Sequence, residues 1–116
     1  MVLNFSGKKE NRAYQRMPIH LDINVLNGDS QHIGLVTNLS ENGMFFITGA
    51  NLSAGLNIEV SITYMEYELI VPVNLIRIKK DNIYAGFGAK LSSPYQAYID
   101  FVYSFKALSE YNSEKR

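Results

Sequence analysis

No cysteine occurs among the 116 residues, which excludes a disulfide scaffold and any thiolate-held zinc, and fits a reducing compartment. No stretch approaches the ~20 apolar residues of a membrane-crossing helix, and the opening Met1 to Glu10 lacks the apolar run of a signal peptide. The chain therefore reads as cytoplasmic, with no membrane insertion. Charge of neither sign prevails: 11 Lys plus Arg stand against 11 Asp plus Glu, so the molecule has no overall field to hold a long polyanion. Histidine is scarce too. His20 and His32 both fall in the polar register of adjacent strands, where solvated imidazoles are expected rather than metal ligands or bases. No Gly-rich loop leads into a Lys-Ser/Thr phosphate cradle, and no Ser/His/Asp set is sensibly spaced. The expectation is a protein that is not an enzyme, with no catalytic residues, no metal and no cofactor.

The apolar content, 47%, suffices for one domain core without such staples. Residues 1–16 are polar and aperiodic and read as a flexible arm. It carries Lys8, Lys9, Arg12 and Arg16 against Glu10, so the arm is positive and the remainder negative by the same amount.

Structure begins at Met17. Met17, Ile19, Leu21, Ile23 and Val25 alternate with polar residues or proline, the period of a half-buried strand; Pro18 fits its start or an unpaired edge. Asn27-Gly28-Asp29 supplies turn chemistry, so a hairpin partner is expected from about Ser30. In that partner Ile33, Leu35, Thr37 and Leu39 form one face, and Gly34, Val36, Asn38 and Ser40 the other. A short strand Met44–Thr48 follows the turn Glu41-Asn42-Gly43. After a break at Gly49 to Gly55, Leu56, Ile58, Val60, Ile62 and Tyr64 make the cleanest alternation, and Met65-Glu66 a tight reversal. The next strand faces Leu69, Val71 and Val73 inward, but its phase slips to Ile76 and Ile78, predicting a bulge near Asn74. A turn at Asp81-Asn82 leads to a last strand with Ile83, Ala85, Phe87, Ala89 and Leu91 inward.

The period then changes. Ser93-Pro94-Tyr95-Gln96 reads as a capping box with proline at the first helical position, followed by Tyr98, Phe101, Val102, Phe105 and Leu108 at helical spacing. Such a helix should pack on the sheet or cover its open end. The expected architecture is mainly β: a six-stranded antiparallel barrel and one C-terminal α-helix over 17–110, with 111–116 a frayed tail.

Arg12 and Arg16 have no evident structural task. A guanidinium carries five donors in a rigid fork that matches phosphate oxygens or the O6/N7 edge of guanine. Other candidates are plainer. Gly86-Phe87-Gly88 lies within a strand and marks close packing rather than a nucleotide loop. Arg77, Lys79 and Lys80 read as a solvated or edge-protecting strand end.

Arg12-x-x-x-Arg16, followed one strand pair later by Asn38-Leu39-Ser40-Glu41-Asn42-Gly43, resembles the signature of the PilZ domain family, Arg-x-x-x-Arg and then Asp/Asn-x-Ser-x-x-Gly. Every signature position is filled. Tyr84 to Leu91 looks like the family's final strand, with Leu91 where an aromatic is frequent. The resemblance runs from about Asn11 to Leu108 and implies binding of the bacterial second messenger cyclic di-GMP. Its implied contacts are Arg12 and Arg16 on phosphate and guanine, Asn38 and Ser40 on a guanine edge or ribose-phosphate, and Gly43 giving the base room. Asn38, being neutral, should bond more weakly than the alternative Asp. Asn11 precedes the first arginine, a position implicated in holding one ligand molecule or two; being neither arginine nor a bulky apolar group, it leaves that number open.

The reading is thus a cyclic di-GMP receptor whose arm orders over the ligand and signals to an unidentified protein effector. Two alternatives remain: a ligand-independent adaptor of the same fold, and a small barrel binding single-stranded nucleic acid. Against the last, the aromatics follow the core face and the net charge is zero.

Overall fold

The alternation from Met17 onward becomes strand β1, Met17–Asn27, and Gly28-Asp29 turns it into β2, Ser30–Ser40, with Gly28 at φ 62°. There follow β3 (Gly43–Thr48), β4 (Asn57–Tyr64), β5 (Tyr67–Lys80), β6 (Ala85–Leu91) and helix α1 (Gln96–Lys115). The strands close into an antiparallel barrel in the order β1-β2-β3-β6-β5-β4. This computed structural model describes residues 17–80 and 83–115, with side chains placed for 18–80 and 83–107. The arm 1–16, with Asn11, Arg12 and Arg16, and the expected turn at Asp81-Asn82 lie outside the described residues.

Inward residues of every strand fill the barrel. Val25, Val36, Leu39, Phe46, Val60, Ile62, Val71, Val73, Leu75 and Phe87 are fully buried, and Phe46 and Phe87 meet at a centroid distance of 5.6 Å. The clean alternation of β4 is realised, with Ile58, Val60 and Ile62 inside. Pro18 sits at the second position of β1, opposite Asn38 and ahead of the β4 pairing that starts at Ile23, at the strand start where proline is tolerated.

Three ladders shift register, and two corrections to the alternation follow from them. In β5 the shift falls between Leu75 and Arg77, two residues beyond the position expected near Asn74. Leu75 stays buried and Ile76 becomes the extra, 58% exposed residue. In β2 a shift between Val36 and Asn38 makes Thr37 the extra residue against β3. Val36 and Leu39 therefore both reach the core while Ile33 is 80% exposed, which corrects the face assigned to Ile33, Leu35 and Thr37. A bulge is how a strand buries two apolar residues three apart. The third shift, in β1 between Pro18 and Leu21, lies opposite the second.

Ile83 is corrected as well: β6 pairs with β5 only from Ala85 onward, so Ile83 precedes the ladder and is 79% exposed.

Each antiparallel step reverses the chain. The start of β1, the β2–β3 turn, the β4–β5 hairpin and the end of β6 therefore share one end of the barrel, and α1 covers that end. Phe101 packs edge-on against Tyr64 and Tyr67, Phe105 stacks on Tyr64 at 4.8 Å, and Tyr67 Oη lies 2.8 Å from Ser104 Oγ. The helix does not start on the expected capping box. Tyr95 O accepts the first helical bonds, from the N–H groups of Tyr98 and Ile99. Gln96 is the first helical residue, and its amide donates forward to Asp100 Oδ1 at 2.9 Å rather than back to a cap. The helical backbone also runs on to Lys115, through most of the stretch expected as a tail.

Candidate functional site

The β2–β3 turn is tied down from four directions. Ser40, 7% exposed, points its hydroxyl at Asn42 Oδ1 (3.3 Å) and Gly43 O (3.5 Å). Asn42 O accepts from the Leu91 N–H at 2.9 Å. Tyr98 of α1, fully buried, donates its hydroxyl to Gly43 O at 2.6 Å. Tyr103 donates to the Glu41 carboxylate, drawing the turn's one acid toward the helix. Burial holds the Tyr98 phenol well above the usual tyrosine range, with a backbone hydrogen bond at Ser40 opposing the shift in part.

Gly43 has a reason the sequence did not show. Its φ is not in the left-handed region, which among the described glycines only Gly28 and Gly55 occupy. A Cβ at Gly43 would lie 2.3 Å from Ala89 O, so the close approach of β3 to β6 requires the glycine. On the outer face of β6 a Cβ at Gly86 would lie 2.6 Å from the Phe45 ring, so the packing there requires the glycine, whereas at Gly88 it would meet the overlying Arg77 only at the ordinary contact distance of 3.5 Å; both are packing positions within a strand rather than a nucleotide loop.

Beside this turn lies a groove of about 190 Å³ across β2, β3, β6 and β5. Asn38, Ser40 and Gly43 line one side, and Ile76, Arg77 and Lys90 the other. Three of the sequence-assigned residues are thus brought together. Asn38 and Ser40 share a face as expected, but the bulge at Thr37 puts them on the opposite face from the buried Val36, with which the alternation had grouped them. Arg12, Arg16 and Asn11 lie outside the described residues, but Met17, the residue after Arg16, pairs with Leu39. Sequence reasoning missed Tyr98, taken only as core. It also missed that Arg77 faces this groove while Lys79 and Lys80 do not. The one available signal was the phase slip just before Arg77.

A larger groove of about 660 Å³ is lined by residues of β1, β2, β3 and β4 together with Gly49 and Tyr84. It contains none of the signature residues. His20 and His32 are both exposed. Among the described residues no cluster of acids and histidines has a metal-holding arrangement, and no helix is long and apolar enough to cross a membrane.

A closed six-stranded barrel, capped by a helix and grooved beside its β2–β3 turn, defines a class of small β-domain. The chain belongs to the PilZ domain family, which matches residues 10–102. Among solved structures it is similar to the Bacillus subtilis inhibitor of motility MotI/DgrA (16% identity, TM-score 0.71, covering 89% of this chain and 53% of that one). It is similar also to Escherichia coli YcgR in complex with c-di-GMP (19%, TM-score 0.70, 91% and 50%). The PilZ domain of YcgR with c-di-GMP gives 14% identity and TM-score 0.71, with 92% of this chain and 100% of that one covered. The chain thus spans about half the length of the first two structures. No curated protein matches it.

Proposed function

We propose that this protein is a cyclic di-GMP receptor. The observation that carries the reading is the pairing of Met17 with Leu39 and of Pro18 with Asn38. Consecutive Cα atoms are about 3.8 Å apart, so Arg16 is tethered next to the strand that bears Asn38 and Ser40. Four residues span at most roughly 14 Å, so Arg12 is tethered there too. The halves of the signature, 22 positions apart from Arg16 to Asn38, are therefore within reach of one groove. Structural neighbours such as YcgR, solved with c-di-GMP, support the same ligand.

The arm's two forked cations suit phosphates and guanine edges, and the rigid turn supplies Asn38 and Ser40. Ligand would bridge both. Ordering the arm costs about 1–2 kcal/mol per fixed residue, so a ligand engaging both halves is needed, and a guanine nucleotide with one phosphate should bind poorly. The ordered arm is the surface that a protein effector reads.

Calorimetric titration tests the reading. Cyclic di-GMP should bind saturably, with GMP and a short single-stranded oligonucleotide far weaker. Equal binding of the oligonucleotide would favour a nucleic-acid barrel, and no binding of any of them a ligand-independent adaptor.

A further inference from the structure

We propose that Arg77, on the outer face of β5, is a third arginine of the ligand site, gripping through its fork a part of the dinucleotide that Asn38 and Ser40 do not reach. This rests on the receptor reading above.

The bulge in β5 aims the side chain. Val73 and Leu75 are fully buried, so an unbroken period of two would send residue 77 into the core as well. The extra residue Ile76 restores the outward direction, setting Arg77 opposite Gly88. Gly88 then seats it. A Cβ at that position would lie 3.5 Å from both Cβ and Nε of Arg77, and 3.6 Å from Nη2. The guanidinium therefore rests along the bare backbone of β6 with its stem directed by the sheet. Lys79 and Lys80, its neighbours in sequence, do not line the groove, so the strand-end charge patch is not one unit.

Its electrostatics point to an anionic or guanine-bearing ligand. Arg77 and Lys90 both line the groove, and among the described residues no carboxylate does; Glu41, the nearest acid along the turn, is engaged by Tyr103. The guanidinium rests over β6, two strand spacings from β2, which puts it roughly 10 Å from the strand that bears Asn38 and Ser40. It thus meets another portion of the ligand. A guanidinium there can take phosphate oxygens or guanine O6 and N7 in a bidentate way, which an ammonium cannot.

The test is calorimetric titration of cyclic di-GMP into the full chain and its variants, with thermal unfolding of each. Arg77→Ala should weaken binding ~10- to 100-fold, as expected for loss of a charged hydrogen-bonding fork, with an unchanged melting temperature. Arg77→Lys, retaining the charge without the fork, should recover only part of that loss. Lys80→Ala should stay within about twofold of wild type. Wild-type affinity in Arg77→Ala, or equal losses in Arg77→Ala and Lys80→Ala, overturns the assignment while leaving the receptor reading intact. Full recovery in Arg77→Lys overturns the forked contact. If wild type itself does not bind, the receptor reading falls and this inference with it.

Discussion

The Tyr98 hydroxyl donates to the Gly43 carbonyl across 55 positions of sequence, so the C-terminal helix is bonded directly to the turn that carries the Asn-x-Ser-x-x-Gly motif. The turn's shape, and with it the positions of Asn38 and Ser40, depends on an element outside the motif.

Tyr98→Phe should therefore destabilise the fold by about 0.5–1.5 kcal/mol, the net contribution of one hydrogen bond, since the Ser40 hydroxyl still lies 3.5 Å from Gly43 O. It should also change the alkaline limb of stability. The folded state holds the Tyr98 proton well above the usual range, whereas an unfolded tyrosine releases it near pH ~10. Stability from this group is then fully present below pH ~10 and falls as pH rises beyond it. Urea titrations at stepped alkaline pH should show that fall in wild type and a shallower one in Tyr98→Phe.

Arg12→Ala and Arg16→Ala should each weaken cyclic di-GMP binding ~10- to 100-fold, at roughly 1.5–3 kcal/mol per hydrogen-bonded charge. Neither should lower the melting temperature. Ser40→Ala behaves differently: its hydroxyl lies against Asn42 and Gly43, so about 1 kcal/mol of stability should go along with affinity. Calorimetry paired with thermal unfolding checks both expectations, and an arginine variant that binds like wild type would remove the arm from the site.

Gly43→Ala should lose stability before it loses anything else. The added methyl meets Ala89 O at 2.3 Å, so β3 and β6 must separate there, at a cost of about 1–3 kcal/mol. A midpoint in urea equal to that of wild type would contradict this.

Met65 is a non-glycine residue at φ 53° in the β4–β5 hairpin, 77% exposed. A side chain in the left-handed region costs about 1–2 kcal/mol, which glycine avoids at some entropic expense in the unfolded chain. Met65→Gly should raise stability by about 0.5–1 kcal/mol, read as a higher urea midpoint with an unchanged slope.

Backbone amide exchange tests the arm. Residues 5–16 should gain protection at saturating cyclic di-GMP, while Asn38 to Gly43 change little because that turn is already bonded from several sides. Protection of the arm without ligand, or none with it, would assign the signal to the barrel surface instead.

Much of this fold is legible in the chain because strand and helix periods differ. Ile58, Val60 and Ile62 could face only one way, and Gly28 with Asp29 allowed a two-residue turn. The bulge at Thr37 was not legible: threonine suits either face, so nothing marked where the phase changed. The helix start was misplaced because Ser93 and Gln96 match a capping pattern whose bonds are not formed, the Tyr95 carbonyl taking the first helical donors instead. At the site, Asn38, Ser40 and Gly43 were readable as a motif. Tyr98, Arg77 and Lys90 were not, since they reach that motif only through helix docking and the pairing of β6 with β5 and with β3.

That last pairing has a consequence for how the molecule is made. Gly43 finds Lys90 and Thr48 finds Ala85, so the two sides of the groove are built from hairpins well separated in the chain. Contacts of such long sequence separation close late and slowly. A nascent chain emerging from the ribosome exposes the whole Asn-x-Ser-x-x-Gly motif by residue 43, yet holds only half a groove until β6 has been synthesised and inserted between β3 and β5. On the receptor reading ligand capture would report completed folding, and a fragment ending before β6 should be blind to cyclic di-GMP despite carrying every residue of the signature.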